Sequence, residues 1–314
     1  MPTVSVIIPT YNRRNYVPAS IQSVLDQTYG DYEIVVVDDG STDNTRELLE
    51  RWIESGTIRY IRQENKGAAA ASNRGFKEAS GELITFLDSD DLWPEDKLEW
   101  QVQYLREHPE MGAVGGAHQF IDKDGEKSKS PIVREGEYAF ENVFTGTPVV
   151  SIGAALIRCR LVDEAGGFDE SIETQDFDLW MKLARRGCRI AIFPRVSLYY
   201  RVHGENCSLQ NGLRQYEVCE RVIRMNLPFV PARDRRRVTV RAFHWLFEYR
   251  GERAILDCKA RIVKGDRSQL RRTLGLVIRL LPVAICDRRL FRRVCGTVLP
   301  ARLILRSRRA TTTR

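Results

Sequence analysis

A chain of 314 residues with 43% hydrophobic and 29% charged residues has the makeup of an ordinary globular protein, with room for one large domain or one domain and an appendage. Its formal net charge of +7 joins two parts of opposite sign: residues 212–314 hold 26 Lys and Arg against 8 Asp and Glu, while residues 1–211 hold 23 against 34. Seven cysteines, odd in number, scattered and without a C-x-x-C pair, argue against a zinc site or a disulfide framework and point to a reducing compartment.

Val4-Ser5-Val6-Ile7-Ile8 predicts a strand close to the first residue, so no signal segment is expected. The strand ends in Pro9-Thr10-Tyr11-Asn12, and a helix with Val17, Ile21, Val24 and Leu25 on one face follows. Ile34–Val37 is a second apolar strand, ending in Asp38-Asp39-Gly40-Ser41. Thr42-Asp43-Asn44 offers cap chemistry for a helix that presents Leu48, Leu49, Trp52 and Ile53. Ile58–Ile61 is a third strand, then come Asn65-Lys66-Gly67 and an alanine-rich helix over 68–79. Leu83–Leu87 reads as a short buried strand running directly into Asp88-Ser89-Asp90-Asp91.

Beyond it, Ala113–Gly116 continues as a strand and Asp122–Gly125 as a hairpin turn. Ile152–Ile157 is a further strand, small enough at Gly153 and Ala154 for a ligand to approach. Gly166–Asp169 is a turn, residues 174–186 a helix stopped by Gly187, and Ile190–Phe193 and Leu198–Val202 two closing strands. Near-continuous apolar strands alternating with helices predict an α/β chain: a Rossmann-like, mostly parallel sheet with helices on both faces. Right-handed crossovers then bring Thr10-Tyr11, Asp38-Asp39, Asn65-Lys66 and Asp88–Asp90 to one rim, where open α/β sheets bind ligands.

Each acidic motif has a plain alternative. Asp88 and Asp90 lie two apart, so on an extended exit both reach one ligand, and oxygen donors at that density suit Mg²⁺ or Mn²⁺. Otherwise they belong to a solvated loop, with Asp91 capping the next helix. Asp38-Asp39 is either a turn with a cap or an acceptor for a base or ribose hydroxyl. No G-x-G-x-x-G follows the first strand and no P-loop exists, which leaves metal to hold phosphate. At helical spacing Asp176 shares a face with Leu179, Trp180 and Leu183, as a cap or as a base of raised pKa, whereas Asp178 shares the wet face with Lys182 and Arg185, in a solvated or structural role. His203 is structural, or completes a metal site.

Together these residues resemble the family-2 glycosyltransferases of GT-A fold. The matching pieces are Val6–Asn12, Val36–Asp43, Asn65-Lys66-Gly67, Asn73 with Gly75, Phe86–Asp91, Gly166–Asp169, Gln175–Trp180 and Tyr200–His203, in order over about two thirds of the chain. The resemblance implies inverting transfer of a sugar from a nucleotide-diphosphate-sugar donor to a saccharide or lipid-linked acceptor. It puts Pro9, Thr10, Tyr11, Asp38, Asp39 and Lys66 around the nucleotide, with Asp88 and Ser89 beside them. It makes Asp88 and Asp90 a D-x-D motif for Mg²⁺ or Mn²⁺, joined by His203, and makes Asp176 the base. Gln175 stands where the family often has Glu, and the Q-x-x-R-W motif of processive members is missing, so one or a few sugars are expected per acceptor.

The expected domains are 1–211, the GT-A catalytic domain, and 212–314, a basic helical extension. There Arg271, Arg272, Arg288, Arg289, Arg292 and Arg293 alternate with Leu270, Leu274, Val277, Ile278, Leu281, Leu290 and Phe291, as in a segment that docks on anionic lipid or in a solvated basic appendage. The longest apolar stretch, Leu274 to Cys286, is broken by Arg279 and Pro282 and falls short of the roughly 20 residues a bilayer crossing needs. The expected location is the cytoplasm or the cytoplasmic membrane face. Two rivals remain: a nucleotidyltransferase, whose Gly-rich basic loop is missing after the first strand, and a nucleic-acid-binding module, for which no motif exists beside the basic tail.

Overall fold

Unbroken runs of Val and Ile make the centre of the sheet. Strand β1 (Val4–Thr10) is buried along its whole length and β2 (Tyr32–Asp38) from Ile34 onward, as strands covered on both sides must be. Removing each such side chain from water contributes about 1.5–3 kcal/mol. The computed structural model describes residues 1–127, 135–144, 151–172, 175–204, 206, 212–251, 254–257, 274–275 and 278.

The sheet has eight strands in the order β3-β2-β1-β4-β7-β5-β8-β6, where β3 is Arg59–Arg62, β4 Leu83–Phe86, β5 Ala113–Ile121, β6 Gly136–Tyr138, β7 Ala155–Arg158 and β8 Ile190–Arg201. Strands β1 to β4 are mutually parallel, with Thr10 opposite Asp38 and Ile7 opposite Phe86, so their C-terminal ends share one rim. Strand β7 runs antiparallel to β4 and β5, and β8 runs parallel to β5. The end of β8, and with it His203, therefore exits on the same rim as Asp88. The expected mostly parallel α/β sheet is what forms.

Helices α1 (Val17–Leu25), α2 (Thr45–Glu54), α3 (Ala68–Glu78), α4 (Lys97–Glu107), α5 (Phe140–Phe144), α6 (Cys159–Ala165) and α7 (Gln175–Arg185) connect the strands. The contacts divide the chain into two compact units, Met1–Val143 with Thr147–Gly204, and Phe144–Gly146 with Glu205–Arg314. In the second unit α8 (Gly212–Asn226) and α9 (Ala232–Leu246) bury Tyr216, Val222, Ile223, Val238, Phe243 and Leu246, while Arg224 pairs with Glu220 at 2.8 Å and lies over Phe243.

Several local expectations change. The two closing strands are one, β8, carried through an irregularity opposite Gly116–Ala117; a Cβ on Gly116 would fall 2.2 Å from Arg195 O, so only glycine admits the bulged strand there. Residues 152–154 form a 3₁₀ turn ahead of β7 rather than strand. Gly153 is small for packing, not for a ligand: a Cβ there would meet Leu198 Cδ1 and Phe86 O, each at 3.3 Å. Leu48 is exposed on α2, whose buried stripe narrows to Leu49 and Trp52. Asp91 caps no helix; α4 starts six residues later, and Asp91 instead accepts from the Arg201 amide at 2.8 Å.

Candidate active site

The rim carries two clusters of acids. At the first, the exits of β1 and β2 are laced together: the Asp39 amide donates to Thr10 O, the Asn12 amide to Ser41 Oγ at 2.9 Å, and the Thr42 amide to Asn12 Oδ1 at 2.8 Å. Asn12 takes a left-handed φ of 52° to do so. Asp38 is buried, with Oδ1 accepting from the Ser41 amide at 2.7 Å and Oδ2 from the Tyr60 hydroxyl. Burial, reinforced by that bond and by the Asp38 charge, pushes the Tyr60 phenol well above its ordinary range. Asp39 accepts from Gln63 Nε2 (2.8 Å), the Lys66 amide (2.9 Å) and the Gly67 amide (2.7 Å). Lys66 itself is exposed, and Tyr11 is 45% exposed above this corner, while Pro9 is buried inside β1. Thr10 Oγ1 is buried here with no hydrogen-bond partner.

The second cluster forms where β4, α7 and β8 meet. Asp90 Oδ2 lies 3.0 Å from His203 Nε2 and 3.4 Å from Arg13 Nε. His203 is held flat on Tyr16, ring centroids 4.9 Å apart, and Arg201 lies over the same ring while its Nε donates to Asp90 O at 2.8 Å. Ser89 is buried between its acidic neighbours. Asp176, in the first turn of α7, accepts from the Ile152 amide at 3.1 Å through Oδ2. Burial pushes the Asp176 carboxyl up to about 6, against the pull of that amide. Asp88 is pushed up to about 8 by burial and by the charges of Asp176 and Asp90, with Arg13 opposing. Asp91, wholly buried, is likewise raised, by burial first and then by Asp90 and Asp88.

The rim thus brings Asp88, Asp90, Asp176 and His203 to one place and Thr10, Tyr11, Asp38, Asp39 and Lys66 to the other. Asp178 departs from the expected wet face but takes the structural of its two expected roles: it is buried and paired with Lys182 Nζ at 2.8 Å, whereas Asp176 is half-buried. Helix α7 buries Phe177, Leu179, Trp180, Met181, Leu183 and Ala184, so it has no single wet face, and Asp176 is open through its place at the rim. Four participants escape sequence reasoning: Arg13, Tyr16, Arg201 and the Ile152 amide. The adjacency of Tyr200-Arg201-Val202-His203 carries a signal for Arg201; Arg13, Tyr16 and Ile152 act through tertiary placement alone.

Among the described residues no group of three or more His, Cys, Asp or Glu side chains stands together in metal-binding geometry. By chemistry alone the Asp88 and Asp90 carboxylates and the His203 imidazole are donors that a hard divalent cation accepts, and burial first, then the charges of Asp176 and Asp90, raise Asp88.

Such a rim, on a mostly parallel sheet with an antiparallel strand let in after β4, defines a GT-A glycosyltransferase fold. The family model described as glycosyl transferase family 2 matches residues 5–166, and the chain belongs to that family. It is 31% identical over 217 residues to the Escherichia coli protein WfaP, named as a UDP-Glc:alpha-D-GlcNAc-diphosphoundecaprenol beta-1,3-glucosyltransferase, a match covering 66% of this chain and 80% of that one. It spans 30% of the length of several longer glycosyltransferases that it also matches. Among solved structures, Staphylococcus aureus TarS in complex with UDP-GlcNAc superposes with a TM-score of 0.71 at 19% identity, covering 90% of this chain and 81% of that one. A mannosyltransferase from Pyrobaculum calidifontis, in complex with GDP-Man and Mn²⁺, gives 0.58 at 22%, covering 94% and 86%.

Proposed function

We propose that this glycosyltransferase moves a single sugar, with inversion, from a nucleoside-diphosphate sugar to an acceptor hydroxyl in the synthesis of a surface polysaccharide or glycolipid. The observation that carries the reading is the gathering of Asp88, Asp90, His203 and Asp176 beside the Asp38–Asp39 corner. Asp176 is the base: as the acceptor oxygen bonds to the anomeric carbon and the bond to the diphosphate breaks, the hydroxyl proton passes to its carboxylate. A carboxyl raised to about 6 suits that task near neutral pH. One base and one displacement invert the anomeric centre, and no covalent nucleophile is needed.

Tyr11, exposed at the mouth of the corner, stacks on the base; Asp39, supported by Asp38, orients it, and the buried Thr10 hydroxyl and Pro9 line the floor. Lys66 reaches the nucleotide from the start of α3, and Ser89 sits by the ribose with Asp88. Asp88, Asp90 and His203 would hold Mg²⁺ or Mn²⁺, which neutralises charge on the departing diphosphate. The relatives named with uridine donors make UDP-glucose and UDP-N-acetylglucosamine the first to try.

No described helix is long and apolar enough to cross a membrane. The interleaved Arg271–Arg293 segment lies almost wholly outside the described residues. Within them, Arg233, Arg235, Arg236, Arg237 and Arg241 are exposed along α9. These exposed arginines, two of them paired with Asp234, support peripheral contact with an anionic cytoplasmic leaflet, where a lipid-linked acceptor would be met.

The test is a panel of UDP-glucose, UDP-N-acetylglucosamine, UDP-galactose and GDP-mannose, each with Mg²⁺, Mn²⁺ or EDTA. One donor is expected to raise the Tm and release nucleoside diphosphate only with the cation present. Stabilisation by none of them, or turnover undiminished in EDTA, contradicts the reading.

A further inference from the structure

Three consecutive carbonyls, two in the turn before β7 and one on the first residue of β7, face one line of side chains from the α4 segment. Trp93 Nε1 donates to Gly153 O at 2.8 Å, Gln101 Nε2 to Ala154 O at 2.9 Å, and Lys97 Nζ reaches Ala155 O at 3.5 Å. Residues 93, 97 and 101 are spaced four apart, one stripe along and just ahead of α4. Thr85 Oγ1, from β4, adds a bond to Ala155 O at 2.7 Å and accepts from Lys97 Nζ at 3.3 Å. Lys97 Nζ also stands 3.9 Å over the Trp93 ring.

All three side chains are buried, Lys97 and Gln101 completely. No carboxylate pairs with Lys97 among the described residues, and burial drives its amine well below the usual range. Hydrophobic residues of similar volume would fill this space without the penalty of burying polar groups. What Trp93, Lys97 and Gln101 share is a donor aimed at the same stretch of backbone. Leu198 Cδ1 and Phe86 O each stand 3.3 Å from where a Cβ on Gly153 would be, so the stretch is closely packed as well as hydrogen-bonded.

This stretch leads to the acid at the rim. Ile152 opens the 3₁₀ turn Ile152–Ala154, and its amide is the donor to Asp176 Oδ2 at 3.1 Å. We propose that Trp93, Lys97 and Gln101 are positioning residues for Asp176: by fixing the carbonyls of residues 153–155 they fix the Ile152 N–H, and through it the orientation of the carboxylate that receives the acceptor proton. The inference rests on Asp176 being the base. A carboxylate held by one backbone amide is only as well placed as that amide, and a shift of about 1 Å in a reacting group can lower a rate about a hundredfold.

The test uses the full chain with Mn²⁺ and UDP-glucose or UDP-N-acetylglucosamine, whichever turns over. Trp93→Phe removes the donor to Gly153 O and keeps an aromatic ring under Lys97; Gln101→Met removes the donor to Ala154 O at similar volume. Each is expected to lower kcat about ten- to a hundredfold while UDP affinity by calorimetry stays within about twofold. In an Asp176→Asn background the same changes are expected to have no further effect, because their only route to the chemistry is gone. Wild-type kcat in both variants, or losses that persist undiminished beside Asp176→Asn, would overturn the positioning role. If Asp176→Asn alone retains turnover, the base assignment fails and this inference with it. If Asp176→Asn is inactive while the two variants are unimpaired, only the positioning inference fails.

Discussion

The two acidic clusters on the rim are built from the same residue type in opposite ways. At the exit of β2, Asp38 and Asp39 accept from backbone amides of Ser41, Lys66 and Gly67 and from Tyr60 and Gln63, so their charge is spent on the shape of loops. Towards the exit of β4 the acids have few donors: Asp88 is pushed up to about 8 by burial and then by the charges of Asp176 and Asp90, while Asp176, held by one amide, is pushed up to about 6 by burial. A carboxylate wrapped in amides organises a surface; a buried carboxylate short of donors stores a need for a proton or a cation. The first cluster is therefore expected to matter for fold and binding, the second for chemistry.

Removing Asp90 should separate the two most widely. Asp90→Ala is expected to abolish the cation-dependent part of UDP binding and with it measurable turnover, leaving the Tm of the protein without ligand near wild type. Calorimetry with and without Mn²⁺ checks it, and cation-dependent binding that survives would merge the clusters into one nucleotide site. At the other cluster, Asp39→Ala strips the acceptor from the Lys66 and Gly67 amides and should lower stability by about 1–3 kcal/mol, read by urea unfolding. An unchanged midpoint would show that those amides find other acceptors.

Lys97 offers a finer contrast, since its amine is buried with no carboxylate beside it among the described residues. Its folded-state pKa is depressed below the unfolded value, so between the two the unfolded chain binds the extra proton and stability rises with pH. Lys97→Met should raise stability by about 1 kcal/mol at neutral pH, a gain that shrinks as pH climbs towards the unfolded value. A gain independent of pH would show that the amine is not desolvated. Turnover should fall in the same variant, a stability gained at the expense of function. The smallest effect concerns the second unit: α9 arginines contribute about 1 kcal/mol each near an anionic surface, so the protein should sediment with phosphatidylglycerol vesicles at low salt and be released at high salt.

Much of this rim is legible in the chain itself, because period and punctuation speak directly. Val6-Ile7-Ile8 and Val35-Val36-Val37 can only be buried strands, and a strand ending in acid places that acid on the rim. The partner of each acid is less visible. Asp178 reads as wet because its helical neighbours are Lys182 and Arg185, yet α7 is buried nearly all round and Lys182 folds in to pair with it. Asp91 reads as a helix cap, yet its partner is the Arg201 amide, 110 residues on, which no local pattern announces. The same holds for Ile152, whose contribution is a backbone amide and leaves no mark in residue type.

The central claim is that Asp176 is the base and the Asp88–Asp90–His203 cluster is the donor clamp. Asp176→Asn, nearly isosteric, separates the two roles in one measurement of nucleotide-sugar binding and turnover. The expected result is Mn²⁺-dependent donor binding within a few-fold of wild type, with transfer lowered by about 10²–10⁴-fold. Transfer at the wild-type rate would contradict it.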